Sequence, residues 1–355
     1  MVCAASLAIV TSSPETKNRH YFPDSQLVLD MAKLSHAVYH LRNKVTSCRD
    51  DSENSNNRNS TELHDEDNSD IFQRLLPIGS KCLYYSHDYY LGTQVLVVRS
   101  DLYNYVAVAY AGTDDWRTAL IDGEILTSAF GPTIVTNTNN TSGTWGNNGK
   151  NSSDDENNIL SIFKNVPDGI RVHRGFNEAV FNSNDFPRLW RCVASARLGG
   201  ECCNNNDDGT SDCDGEEDAN FNSFPTATYQ LLTTGHSLGA ADSVLLGAAL
   251  HLAYPNKNVR SINFGGPKIG NIAWSFWMNS LQPDKKDWER RRRRRTSSAS
   301  TSFSVSGSYE IFRFVNKIDL VPRLPELPPL THAGHTLQMS VGGGIKVSVY
   351  SEFSV

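Results

Sequence analysis

The run Tyr229-Gln230-Leu231-Leu232-Thr233-Thr234-Gly235-His236-Ser237-Leu238-Gly239-Ala240-Ala241-Asp242-Ser243-Val244-Leu245-Leu246 decides how the rest of the chain is read. Its first six residues form a short apolar, Thr-rich stretch of strand type. Its last seven are helix formers rich in Ala and Leu. Between them lies Gly-x-Ser-x-Gly, a weak pattern alone. With a strand entering and a helix leaving, it becomes the sharp turn that presents a serine as a nucleophile. Ser237 then has to adopt a strained backbone conformation that projects its Oγ off the sheet edge. Gly235 and Gly239, lacking a Cβ, let strand and helix close around it. The N–H of Leu238, at the helix N-terminus, points where negative charge would develop on a substrate oxygen. The bland alternative is a Gly-rich turn with a passive serine, and both flanks argue against it.

Outward from this turn, Leu27, Leu29, Met31, Leu34, Ala37, Val38 and Leu41 recur at helical spacing, which predicts an amphipathic helix over 26–41. Residues 94–98, 105–110, 261–264 and 311–315 read as strands, and a strand-like run covers 345–350. Strands separated by helices predict an α/β sandwich with a largely parallel central sheet. Hydrophobic residues make up 39% of the chain, and the polar excess is concentrated in blocks at 46–70, 127–164, 199–223 and 284–308. None has the apolar periodicity to offset the entropy of ordering it, so all four read as disordered surface insertions. Without them and residues 1–23, a possible signal or disordered leader, about 219 residues remain, which fits one domain spanning 24–355.

A net charge of −6 gives no general attraction to nucleic acid or anionic membranes. No run of apolar residues is long enough to span a bilayer. The apolar stretch 2–10 has the length of a signal-peptide core but no preceding basic residue. Seven cysteines (Cys3, Cys48, Cys82, Cys192, Cys202, Cys203, Cys213) match neither a zinc site nor a compact disulfide framework. Glycosylation acceptors at Asn59, Asn139, Asn140 and Asn151 fall in Asn- and Ser-rich tracts that generate such triplets by chance. Secreted, endomembrane and cytoplasmic locations all stay open.

Four stretches, the turn at Ser237 among them, carry a resemblance. Thr234-Gly235-His236-Ser237-Leu238-Gly239-Ala240 is similar to the elbow of the class 3 lipases, the fungal-lipase-like branch of the α/β-hydrolases, with Ala240 where a third glycine is frequent. Asn263-Phe264-Gly265-Gly266-Pro267-Lys268-Ile269-Gly270-Asn271 resembles their Phe-Gly-x-Pro-Arg-x-Gly-Asn segment, with lysine for arginine. Asp319-Leu320-Val321-Pro322-Arg323-Leu324-Pro325 resembles their Asp-x-Val-Pro-x-Leu-Pro loop, and Val172-His173-Arg174-Gly175-Phe176 their Val-His-x-Gly-Phe. With Tyr110-Ala111-Gly112-Thr113 and the N-terminal helix, the likeness covers nearly all of the core.

The resemblance implies an α/β-hydrolase domain that cleaves acyl esters of lipids at a lipid–water interface, without cofactor or metal. Ser237 is the implied nucleophile and Asp319 the implied triad acid. On its residues alone, Asp319 follows a strand and precedes a Pro-stiffened loop, where a turn-capping role is the commoner use. The amides of Thr113 and Leu238 are the implied oxyanion hole; a plain Gly-Thr turn is the alternative for the first. Ala111 stands where the family has an arginine, so the ion pair that braces this turn is expected to be missing. Residues 114–121 occupy the place of the family's lid, and Trp116, Leu120 and Ile121 form either an apolar cover or core. His173 belongs to a motif that supports the site, and His236 reads as packing.

The family's catalytic histidine lies several dozen residues beyond its acid, whereas 36 residues follow Asp319 here. Those residues contain His332 and His335; Ala333-Gly334-His335-Thr336 resembles a different, non-catalytic family histidine. Three readings stand: a base beyond residue 355, His335 or His332 serving by rearrangement, or a catalytically inactive lipid-binding or regulatory relative. A phospholipase A1 or feruloyl-esterase type of relative is a further possibility within the same chemistry. Two minor signals read as solvated insertions: Asp212-Cys213-Asp214-Gly215, which lacks the ligand spacing of a calcium loop, and six consecutive arginines at 290–295. No phosphate-binding loop, redox Cys pair or nucleic-acid module is present.

Overall fold

The computed structural model describes residues 23–41, 48, 68–89, 91–112, 126–132, 159–183, 185–202, 229–283, 307–316, 318–325, 330–339 and 345–348. At its centre, among the described residues, is an eight-stranded sheet. β1 (Ser80–Asp88), β2 (Thr93–Ser100) and β3 (Tyr105–Ala111) form an antiparallel meander at one edge. β6 (Gln230–His236), β7 (Val259–Phe264), β8 (Tyr309–Asn316) and β9 (His335–Met339) then run parallel to β3. β10 (Ile345–Ser348) closes the other edge antiparallel. The largely parallel α/β sandwich expected from the sequence is the fold observed.

Strands buried on both faces need cover on both sides, and helices supply it. On one face lies α1 (Ser25–Leu41), whose stripe of Met31, Leu34, Val38 and Leu41 is fully buried against β3, β6 and β7. Each such side chain contributes about 1.5–3 kcal/mol. α2 (Asn68–Leu75) adds Ile71 and Phe72 to the same cluster. The other face is covered by α3 (Arg174–Phe181), α4 (Phe186–Ala196) and α5 (Leu238–Ala253), with α6 (Ile272–Ser280) at the flank. A small antiparallel pair, β4 (Thr127–Ala129) with β5 (Arg171–His173), lies beside them.

The polar blocks need correcting at their edges. Within 127–164, β4 is a strand, and Phe130 and Ile159 are core residues. Phe130 packs against Phe163, Phe181, Trp274 and Trp277 at centroid distances of 5.0–5.8 Å. In 284–308 the end belongs to the fold too, since Ser308 is buried and its carbonyl accepts from Val259 N–H. The cysteine pairing that the spacing left open includes two disulfides, Cys48–Cys82 and Cys192–Cys202, with Cα atoms 5.5 and 4.5 Å apart. A pairing made between separate elements, or from a helix to the loop after it, leaves no regular spacing to read. Residues 2–10, 114–121 and 290–295, Thr113 and the four Asn acceptors lie outside the described residues. Among those described, no helix is long and apolar enough to cross a membrane.

Candidate active site

The parallel ladder builds the site in steps across the C-terminal edge of the sheet. Ser237 N–H donates to the Phe264 carbonyl at the end of β7, and Gly265 N–H donates to the Phe314 carbonyl in β8 (3.0 and 2.8 Å). β8 then ends at Asn316, and Asp319 follows within three residues. The serine, Gly265 and the aspartate therefore come from three neighbouring strand ends.

Ser237 has φ 56° and ψ −126° and is the residue immediately before α5. A residue with a Cβ rarely enters this region unless its surroundings hold it there. Here the surroundings are the two glycines. A Cβ on Gly235 would meet the carbonyl of Gly239, and one on Gly239 the carbonyl of Tyr110 in β3. Ser237 as a residue is buried, at 7% exposure. Leu238 is the first residue of α5, so its N–H has no acceptor within the helix. It faces the end of β3: a Cβ on Gly112 would sit 3.2 Å from that nitrogen. The approach brings the residue before Thr113 against Leu238, the two positions expected to share the oxyanion.

Asp319 is half-buried at the mouth of its loop. Its Oδ1 accepts from Val321 N–H at 3.0 Å, while its own N–H donates to the Asn316 carbonyl. Oδ2 lies 2.6 Å from where a Cβ on Gly265 would stand, and His236 Nε2 is 3.7 Å from the same point. Gly265, with φ +62°, thus keeps open the space between carboxylate and imidazole. Burial pushes the His236 imidazole below its ordinary value; the Asp319 carboxylate pulls the other way, and His36 adds to the lowering. His236 Nδ1 is 3.4 Å from the hydroxyl of Tyr39. His236 therefore does more than pack.

The histidines expected to serve as base are placed elsewhere. His335 opens β9 in register with Phe312, four positions back from the strand end. Burial lowers its pKa, with Glu310 opposing, and its ring packs on Phe312 at 5.6 Å. His332 donates from Nε2 to the Pro322 carbonyl at 2.6 Å, and burial holds it well below the usual histidine range. It braces the loop that carries Asp319. His173 lies in β5, where burial lowers its pKa too. Among the described residues, no histidine is hydrogen-bonded to the Ser237 hydroxyl or the Asp319 carboxylate. Tyr39 was missed in the sequence, and Gly265 was read only as part of a motif, because their roles come from what approaches them.

Residues 134–328 match the family model described as lipase, class 3. The chain belongs to the class 3 lipases. Lipases of Rhizopus niveus and Rhizopus oryzae are each 38% identical to this class 3 lipase family member over 56 residues, 15% of this chain and 14% of theirs. The chain thus spans about a seventh of the length of the curated relatives it matches. Among solved structures, a nonglycosylated Yarrowia lipolytica lipase aligns with TM-score 0.50 and 15% identity, covering 88% of this chain and 79% of that one. A deletion mutant of the Rhizomucor miehei lipase propeptide complex aligns with the same score and identity over 93% and 72%. At this identity the likeness is one of fold.

Proposed function

We propose that the protein is a carboxylic ester hydrolase acting on lipid acyl esters, acylglycerols or the acyl chains of phospholipids. Ser237 attacks the acyl carbonyl, and the Leu238 and Thr113 amides hold the oxyanion. Asp319 orients a histidine that takes the serine proton and returns it to the leaving alcohol. Water then releases the fatty acid from the acyl-enzyme, and no cofactor takes part. The observation that carries this reading is the backbone of Ser237, held at φ 56° immediately before a helix and at the end of a central parallel strand. Family membership supports the ester chemistry. Exposed Ile318 and Leu320, at 74% and 60%, flank Asp319 and suit an apolar substrate or a lipid surface.

The absence of a base at this pair among the described residues favours a second reading, a lipase-like protein that binds lipid without turnover. One experiment separates them. The full chain is treated with a fluorophosphonate and assayed on a short-chain p-nitrophenyl ester, beside Ser237→Ala. Labelling and turnover lost by about 10³-fold or more in the variant support the hydrolase. An unlabelled wild-type chain that still binds lipid vesicles supports the second reading.

A further inference from the structure

The turn after β3 has Ala111 in place of the arginine that the family resemblance leads one to expect, yet it is not unbraced. α1 brings Tyr39 to it. The Tyr39 hydroxyl accepts from Gly112 N–H at 2.7 Å and donates to the His236 carbonyl at 3.1 Å. His236 Nδ1 lies 3.4 Å from the same oxygen. A Cβ on Gly112 would stand 2.6 Å from that hydroxyl, 2.9 Å from the His236 carbonyl oxygen and 3.2 Å from the Leu238 nitrogen. The end of β3 and the residue before Ser237 converge on one phenol, and the nitrogen of the residue after Ser237 stands beside the same glycine.

We propose that Tyr39 is a positioning residue for the oxyanion hole, its hydroxyl locking the Gly112 peptide against the serine turn. This rests on the reading of Ser237 as a nucleophile. A hydroxyl is suited to the place because it accepts from an N–H and donates to a C=O at once; phenylalanine can do neither. Occupied by Tyr39, the Gly112 amide is not itself an oxyanion donor. Glycine has the widest conformational range of any residue, so an unheld Gly112 would have to be ordered as charge develops. An oxyanion hole is effective when its donors are fixed beforehand. Tyr39 supplies that fixation from an element more than 70 residues away in sequence.

The test is Tyr39→Phe in the full chain, which keeps the ring and removes the hydroxyl. Hydrogen exchange at the Gly112 amide, the rate of Ser237 labelling by a fluorophosphonate, kcat and KM on a short-chain p-nitrophenyl ester, and the melting temperature are compared with wild type. The expected result is Gly112 exchange faster by about tenfold or more. Labelling rate and kcat should fall together by about 10- to 100-fold, with KM within about threefold. Unchanged labelling and kcat overturn the proposal, as does unchanged Gly112 exchange. A loss that appears in KM, or only near a lowered melting temperature, overturns it too, by making Tyr39 a packing residue. A wild-type chain that is neither labelled nor active overturns the hydrolase reading and this role with it; failure in a labelled wild type overturns the role alone.

Discussion

At position 237 the backbone sits at φ 56°, where a residue bearing a Cβ carries about 1–3 kcal/mol of strain. Glycine has no such penalty. Ser237→Gly is therefore expected to raise the unfolding free energy by about 1 kcal/mol while abolishing fluorophosphonate labelling, whereas Ser237→Ala abolishes labelling without the gain. Urea denaturation of the three proteins checks this, and a glycine variant less stable than the alanine one would refute the strain argument. The strained turn at Ser237 was legible in the sequence because it follows from local pattern: two glycines, a strand before and a helix after. The place of Asp319 beyond the end of β8 was legible from the strand and Pro-stiffened loop around it. The base was not legible, because it is defined by where two ring nitrogens point. The structure directs His332 to the Pro322 carbonyl and sets His335 back within the sheet.

α5 is buried along most of its length, and Asp242 is buried with it, its Oδ1 without a hydrogen-bond partner among the described residues. Burial pushes this carboxyl well above the usual carboxylate range. Below about pH 4 folded and unfolded chains both hold the proton, so the residue costs no pH-dependent stability there. As pH rises toward the folded-state pKa, only the unfolded chain ionises freely, and stability falls by up to about 1.4 kcal/mol per pH unit. Asp242→Asn is expected to remove this slope, so that its advantage over wild type widens between pH 5 and pH 7. Denaturation curves at the two values measure the gap, and a constant gap would sink the claim. Among the elements, α1, β2, β3 and β6–β8 were legible from apolar periodicity. β4 and the core contacts of Phe130 and Ile159 were hidden, because two or three apolar residues among Thr, Asn and Gly do not make a period.

For the whole molecule, the disulfides join residues 34 and 10 apart. Chain entropy alone assigns them about 4 and about 3 kcal/mol. Reduction is expected to lower the unfolding free energy by amounts of that order, checked by denaturation with and without dithiothreitol. Peptide mapping should recover the Cys48–Cys82 and Cys192–Cys202 links. Such bonds persist in oxidising compartments, and we expect the chain to mature in one. The overall architecture was legible because alternation of strand and helix is a property of long stretches. The disulfides were not, because partners are set by approach in three dimensions rather than by spacing.

α1 lies near the start of the chain, yet it packs on β3, β6 and β7, the last of which ends at Phe264. During synthesis its apolar stripe is made first and its full docking surface only about 220 residues later. At about 5–20 residues per second, Met31, Leu34, Val38 and Leu41 wait some ten to forty-five seconds for their full cover. Tyr39 is carried by that helix, so the bridge from Gly112 to the residue before Ser237 exists only once α1 has docked.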